Sequence, residues 1–525
     1  MKKLKYVALY VATLAAASMS FNMNANTTTI DINAGITHQT IDGFGASDAW
    51  SMDPLGKYWT LENKNKVADL LFSETSGIGL SLWRFNVGAG SAVTDVSIIT
   101  NPWRRVECFK QTQDGNYDWT KQSGQQWFLE SAKERGVNQF VAFFNSPPVW
   151  MTKNGHAQCD SSVGSTNLKK DYDVEFAKFA IDVVEHFKNE KGITFNYISP
   201  INEPTWDWNG SNQEGCRFNN DDCKAVYDAL YAELEKKGLT KEVEIDGVEG
   251  VEMTAMLDND TYKKFSGNAQ YTGGSNSLGV GKYREYIKDF IGDQSFNHKL
   301  GKKIGCHSYW SDYSNTGDDR LGELKDLLRQ NIDKYVQNGR FWMTEYCIMG
   351  GYGSGRDLGI DPALYITRLI HRDLSRANAS AWIWWTAVSK EDYKDGLIYT
   401  NFVNSGDAQT IFESKMLWGL GNYSKFIRPG SVRINCTGAD DVNGLMASAY
   451  LDSKNHKIII VLVNCSSSQA QIKFDLKGIP EGRSLSKLTP YITSSSDNLS
   501  AKPEISLSSQ YIVPAKSIVT LVGVY

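Results

Sequence analysis

Two glutamates stand where a carboxylate is seldom left by chance. Glu203 closes the run Tyr197-Ile-Ser-Pro-Ile-Asn-Glu203, followed by Pro204, and Glu345 closes Arg340-Phe-Trp-Met-Thr-Glu345. Both runs read as buried strands that end among Trp, Tyr and Asn. Two facing carboxyls, one protonated and one ionised, can protonate a leaving oxygen and attack or stabilise the carbon it leaves. That is the chemistry that cuts a glycosidic bond. The neighbouring residues fit it. Arg84, in Leu80-Ser-Leu-Trp-Arg-Phe85, could hold Glu345 ionised, and Tyr309 could donate a hydrogen bond to it. Asn202, beside Glu203, could bind a sugar hydroxyl near the reacting carbon. Once Glu345 carries a sugar ester its charge is gone, so Glu203 can lose its proton and serve first as acid, then as base. His307 reads equally as a hydrogen-bonded barrel histidine and as a substrate contact. Trp382 and Trp385 are core candidates first, and Trp385, at a strand tip, is the better sugar platform. Trp206 and Trp208 follow Glu203 closely enough to add aromatic surface. No Cys or His spacing has the pattern of a zinc site, and neither a metal nor a cofactor is expected.

The elements that must position these residues are legible as a pattern. From residue 42 to 425, short apolar runs alternate with stretches of helical periodicity such as Asp173 to Lys188 and Pro362 to Arg376. Apolar strands joined by helical crossovers imply a parallel sheet covered by helices. Eight such units predict a (β/α)8 TIM barrel, with Glu203 at the end of strand four and Glu345 at the end of strand seven, on opposite sides of one mouth. A doubly wound sheet is the runner-up, but it would want a glycine-rich phosphate loop after its first strand. The run Gly350-Gly-Tyr-Gly-Ser-Gly355 lacks the Lys-Ser/Thr ending of such a loop and reads as a mobile loop beside the cleft. After residue 428 helical periodicity gives way to runs rich in β-branched residues, as in Lys457 to Val463 and Ser517 to Val524. These predict an antiparallel β-sandwich side domain. The early run Thr28 to Asn33 is expected to pair with it, so residues 27–41 would join the sandwich at 428–525 across the barrel at 42–427.

Bulk composition narrows the partners. Hydrophobic residues make up 41% and charged residues 22% of 525, enough for a large core, and the net charge of −5 favours neither nucleic acid nor an anionic membrane. Aromatic content is high, with Trp 15, Tyr 25 and Phe 22, which suits sugar stacking as well as core packing. Met1-Lys-Lys-Leu-Lys5 followed by the apolar stretch Tyr6 to Ala17 reads as a signal peptide over 1–26, and no other segment reads as a membrane span. The mature protein is expected to be exported, to the periplasm or outside the cell, and to act on an oligosaccharide or polysaccharide. Of eight cysteines, Cys216 with Cys223 is the best candidate disulfide and Cys108 with Cys159 a weaker one.

At these residues the chain resembles glycoside hydrolase family 30. The resemblance runs through Ile41-Asp-Gly-Phe-Gly-Ala-Ser-Asp48, Trp83-Arg-Phe-Asn-Val-Gly-Ala-Gly90, Asn145-Ser-Pro-Pro-Val-Trp-Met151, Pro200-Ile-Asn-Glu-Pro204, His307-Ser-Tyr-Trp310, Trp342-Met-Thr-Glu345 and Trp382-Ile-Trp-Trp385. It implies Glu203 as acid/base and Glu345 as nucleophile, with retained configuration. It also implies that Asp48, Trp150, Asn202 and Trp385 line the subsite of the attacked sugar. Trp206-Asp-Trp208 with Gln213-Glu-Gly-Cys216 is most similar to the endo-β-1,6-galactanase branch, ahead of β-1,6-glucanases and other β-glycosidases of the family. A non-catalytic sugar-binding barrel is the alternative of a different class, and it would be marked by loss of one of the two glutamates.

Overall fold

The computed structural model describes residues 27–272, 280–349, 353–402, 406–480 and 483–525. The expected signal peptide and residues 350–352 of the glycine-rich run lie outside them.

Short apolar stretches become strands because both of their faces are covered. The chain opens with β1 (Thr28–Thr40) and then lays down β2 (Gly43–Ser47), β3 (Leu82–Asn86), β4 (Gln139–Phe143), β5 (Tyr197–Ser199), β6 (Glu244–Ile245), β7 (Val248–Gly250), β8 (Lys303–His307), β9 (Arg340–Tyr346) and β10 (Ala379–Ser389). Every residue of β2, β3, β8 and β10 is buried. The hydrogen-bonded order is β6-β5-β4-β3-β2-β10-β9-β8-β7. Its two ends, β6 and β7, are consecutive in the chain, so the sheet closes on itself through the break at Asp246 and Gly247. Asp246 N–H donates to the Ile198 carbonyl and Gly305 N–H to the Gly247 carbonyl, carrying the ladder across that break. Counted with β6 and β7 as one interrupted strand, these make the eight parallel strands of a (β/α)8 barrel.

Helices cover the two periodic stretches, at Asp173–Lys191 and Ile360–Ser375, and further crossover helices run at Asn220–Lys237 and Asp318–Tyr335. The crossover after β7 departs from the pattern. It holds a short helix, Asn259–Ser266, and a single π-turn, Ile287–Ile291, in place of one long amphipathic helix.

The second sheet has ten strands and includes β1. β1 pairs antiparallel with Val432–Thr437 and parallel with Ala470–Lys477. The sandwich is therefore not purely antiparallel: the N-terminal strand enters between two C-terminal ones and can match the direction of only one. Its core, with Ile30, Ile32, Ile460, Leu462 and Leu521, is separate from the barrel core.

The eight cysteines are free thiols. The Cys216–Cys223 bridge expected from the sequence is not formed. Cys223 sits in the first turn of the helix Asn220–Lys237 with its Sγ toward the Phe218 carbonyl, while Cys216 Sγ faces Thr166 Oγ1. Cys108 and Cys159 are likewise unpaired, and their Sγ atoms face the carbonyls of Lys110 and Asp207.

Candidate active site

Glu345 lies within β9, and Glu203 lies four residues beyond β5, on a turn. Both carboxylates are buried, and both line one cavity of ≈ 580 Å³ at the C-terminal mouth of the barrel. Glu203 has φ 46°, Trp208 and Glu249 have φ 61° and Trp310 has φ 57°. Left-handed backbone at non-glycine residues costs of order 1–3 kcal/mol each and is held only where the surroundings fix it, commonly at functional sites. Here Glu203 N–H donates to the Glu249 carbonyl, and Trp206 N–H closes the turn on the Glu203 carbonyl.

The two glutamates meet through His307, at the end of β8. Its Nδ1 lies 2.9 Å from Glu203 Oε1 and 3.6 Å from Glu345 Oε1, and its Nε2 lies 2.9 Å from Glu249 Oε2. One side-chain atom from each of Glu203, His307 and Glu345 lies within 4.8 Å of the other two. Burial opposes charge on the imidazole, but the Glu345 charge and the hydrogen bonds to Glu203 and Glu249 outweigh it and push His307 up to about 10. As an imidazolium, His307 donates from both nitrogens.

Arg84, buried in the middle of β3, organises the other flank. Its Nη1 donates to Glu345 Oε2 at 2.5 Å, and its Nη2 donates to Asn202 Oδ1 at 2.9 Å and Glu249 Oε2 at 3.2 Å. The guanidinium also lies 3.8 Å over the Phe143 ring, which fixes its plane. Tyr309 Oη donates to Glu345 Oε1 at 3.2 Å. Burial pushes the Tyr309 hydroxyl far up, so it stays a donor.

Three carboxylates thus share two cations. Despite burial, the His307 and Arg84 contacts hold Glu249 ionised at about 2. Burial and the facing Glu203 charge raise the Glu345 carboxyl, while His307 and Arg84 pull it down.

Glu249 is the residue the sequence reading missed. It ends the interrupted fifth barrel strand as Glu345 ends the seventh, so strand-end position was the available signal. Gly305 on β8 leaves the space its carboxylate needs, since a Cβ there would stand 2.5 Å from Glu249 Oε1. Trp50, Arg104, Trp310 and the carboxylates Glu391, Asp392 and Asp395 also line the cavity and were not singled out from sequence.

The structure brings Glu203, Glu345, Arg84, Asn202, His307 and Tyr309 together. It adds Trp206 and Trp385 as walls of the cavity. Trp208 lines the cavity too, but it is 2% exposed and packs on Cys159 and Val163, so it serves as a wall and not as an open platform. Trp150 lies apart from that cavity. Its indole N–H donates to the Lys110 carbonyl and its ring packs on Tyr172. Asp48 is buried at the tip of β2 and accepts from Asn86 N–H at 2.8 Å, outside the lining of the same cavity. Its Oδ2, both side-chain polar atoms of Asn86 and of Asn145, and Trp50 Nε1 lack protein partners. Burial pushes the Asp48 carboxyl up to about 8.

The comparisons decide the family. The model of O-glycosyl hydrolase family 30 matches residues 27–399, and the model of the glycosyl hydrolase family 30 β-sandwich domain matches residues 430–521. The chain belongs to glycosyl hydrolase family 30. An endo-β-1,6-galactanase from Hypocrea rufa is 26% identical to this family 30 chain over 493 residues, covering 89% of this chain and 87% of that protein. The crystal structure of a conserved exported protein from Bacteroides fragilis is 30% identical, covers 94% of this chain and 100% of its own, and superposes with a TM-score of 0.80. An endo-β-1,6-glucanase structure shares the fold at 18% identity, with 95% of each chain covered and a TM-score of 0.65. The chain is thus an O-glycosyl hydrolase acting on carbohydrate. Among the described residues, no helix is long and apolar enough to cross a membrane.

Proposed function

We propose that this protein is an exported, retaining endo-β-1,6-galactanase. The observation that carries the mechanism is the closeness of the two carboxylates, whose oxygens lie within 4.8 Å of each other. Retaining glycosidases hold their carboxyls about 5–5.5 Å apart, and inverting ones need about 6.5–9.5 Å to seat a water. Arg84 donates to Glu345 and Glu249 and not to Glu203, which favours Glu345 as the ionised nucleophile and leaves Glu203 to supply the proton. Protonated, Glu203 no longer opposes the ionisation of Glu345. Glu345 attacks the anomeric carbon while Glu203 passes its proton to the departing oxygen. With Oε1 engaged by His307, Oε2 is the oxygen available to carry that proton. The ester that forms removes the Glu345 charge. Glu203 then takes a proton from water, and the water oxygen displaces Glu345 to regenerate the site.

The electrostatics of the cavity support a neutral sugar. Glu391, Asp392 and Asp395 join the catalytic pair in its lining, against the single guanidinium of Arg104. A uronic acid would meet like charge there. The full-length similarity to the Hypocrea rufa enzyme supports β-1,6-galactan. The orphaned polar atoms of Asp48, Asn86 and Asn145 support a role for Asp48 in holding sugar hydroxyls, since buried polar groups ordinarily find partners. Similarity to the exported Bacteroides fragilis protein, with the leader-like N-terminus, supports export.

The test is to offer β-1,6-galactan, β-1,6-glucan and xylan, size the products, and follow the first-formed anomer by NMR. Oligosaccharides from galactan alone, released as the β-anomer, are expected. Release from glucan alone would move the assignment to a β-1,6-glucanase, and an α-anomer would overturn double displacement.

A further inference from the structure

The catalytic cavity is joined by a second hollow of ≈ 310 Å³, and the ridge between them is aromatic. Trp206, Trp310 and Val251 line both spaces. The two indoles stand 5.1 Å apart at 35° and are the most exposed tryptophans of the mouth, at 36% and 50%. Large aromatic surface left open to water is unusual unless something covers it. Both rings are fixed to catalytic residues. Trp206 rides the turn that closes on the Glu203 carbonyl, and Trp310 follows Tyr309, which donates to Glu345. Its left-handed backbone sets it apart from the buried strand before it. Beyond the ridge, Thr254, Tyr262 and Tyr271 wall the second hollow, with the two tyrosine rings edge-on at 5.5 Å.

The side of the mouth on which this hollow lies identifies its occupant. Most of its frame follows β5, the strand that leads to Glu203, and β7, which with β6 stands beside β5; Trp310 follows β8, which neighbours β9 with Glu345. The opposite wall, Trp50 and Trp385 packed edge-to-face at 5.2 Å, comes from β2 and β10. In double displacement the sugar bonded to Glu345 stays, and the part protonated by Glu203 leaves. Both volumes fall within the range of about 300–1,000 Å³ usual for small-molecule sites.

We propose that the second hollow is a subsite for the leaving side of the substrate, taking a neutral β-linked sugar one unit beyond the Trp206–Trp310 ridge. This rests on the glycosidase reading above and extends it to the number of sugars bound. A 1,6-linkage has an extra rotatable exocyclic bond, which lets a chain bend over such a ridge. Cleavage then requires sugar on the leaving side of the bond, and binding there is spent on the reacting bond.

The experiment measures kcat/KM for β-1,6-galacto-oligosaccharides and β-1,6-gluco-oligosaccharides of increasing length, with the wild-type chain and with Trp310→Ala and Tyr262→Ala. The expected result is a rise of about tenfold or more for one added leaving-side sugar, matching a further 1.4 kcal/mol of binding. Both variants should lose that rise, and Tyr262→Ala, which lies outside the catalytic cavity, should have a far smaller effect on the shortest cleaved substrate. Length-independent kinetics, or a rise that both variants keep, would overturn the subsite. Cleavage of the gluco series in place of the galacto series would change the sugar assigned and leave the subsite standing. No cleavage of either series would sink the glycosidase reading and the subsite with it.

Discussion

At the scale of single residues, the site works by counting charge. Glu203, Glu249 and Glu345 compete for Arg84 and for one imidazolium, and His307 touches all three acids. Glu249 reaches no lining position in the cavity, so its influence passes through His307 and Arg84, and it is a positioning residue. Replacing it as Glu249→Gln keeps the shape and removes one of the charges that hold the His307 proton. The His307 pKa, held at about 10, should fall. Titration of the His307 ring followed by NMR should then move to lower pH, with little change in KM. An unmoved His307 titration beside a loss of activity would mean that Glu249 only fills space. The catalytic glutamates behave differently: Glu203→Ala and Glu345→Ala should each lose more than about a thousandfold in kcat with the fold intact by circular dichroism. Residue types carried most of this into the sequence. A Glu beside Asn and Pro, an Arg and a Tyr at strand ends, and a second strand-end Glu were readable as chemistry. Where Trp150 packs was not readable. Its side chain follows the Lys110 loop, and loop packing leaves no periodic mark.

At the scale of elements, alternation of apolar runs and helical stretches gave the barrel, because each strand is buried on both faces and each crossover helix on one. The fifth unit is the exception in structure: a two-residue break splits its strand and its crossover lacks a long helix. A Glu at its end carries no mark that sets it apart from a structural carboxylate. Close approach of elements is invisible to pattern as well. Helix Met52–Tyr58, which follows the strand that carries Asp48, packs on helix Ser123–Glu134 through Gly56 and Gly124. A methyl group at Gly124 would overlap the Asp53 carbonyl. Gly124→Ala should therefore destabilise the protein by about 1–3 kcal/mol through overpacking, despite the better helix propensity of alanine. Thermal unfolding would read this as a lowered midpoint, and an unchanged or raised midpoint would show that the two helices can move apart freely.

At the scale of the whole molecule, barrel and sandwich are sewn together from both ends of the chain. β1 has both of its partners in the C-terminal sheet. The helix Lys415–Ser424 ends the barrel and packs on the sandwich: buried Asn422 donates to the Tyr491 carbonyl and Thr520 Oγ1, and Thr520 donates back to the Asn422 carbonyl. Arg372, on the helix Ile360–Ser375, pairs with Asp440. A chain cut after residue 427 would leave β1 unpaired and an apolar helix bare, and should fail to give soluble folded protein. A soluble truncated chain with hydrolytic activity would contradict that. Pairing of the early Thr28 to Asn33 run was legible because its alternation matched the C-terminal runs. That one of its two pairings is parallel was not, since register and direction are settled by the partners. The division of labour between the two catalytic acids is tested most directly by trapping the intermediate with a 2-deoxy-2-fluoro β-galactoside bearing a good leaving group, then mapping the adduct by mass spectrometry. One fluorosugar per chain, on the peptide that carries Glu345, is the predicted result. An adduct on Glu203, or turnover of the galactoside with inversion and no adduct, would contradict it.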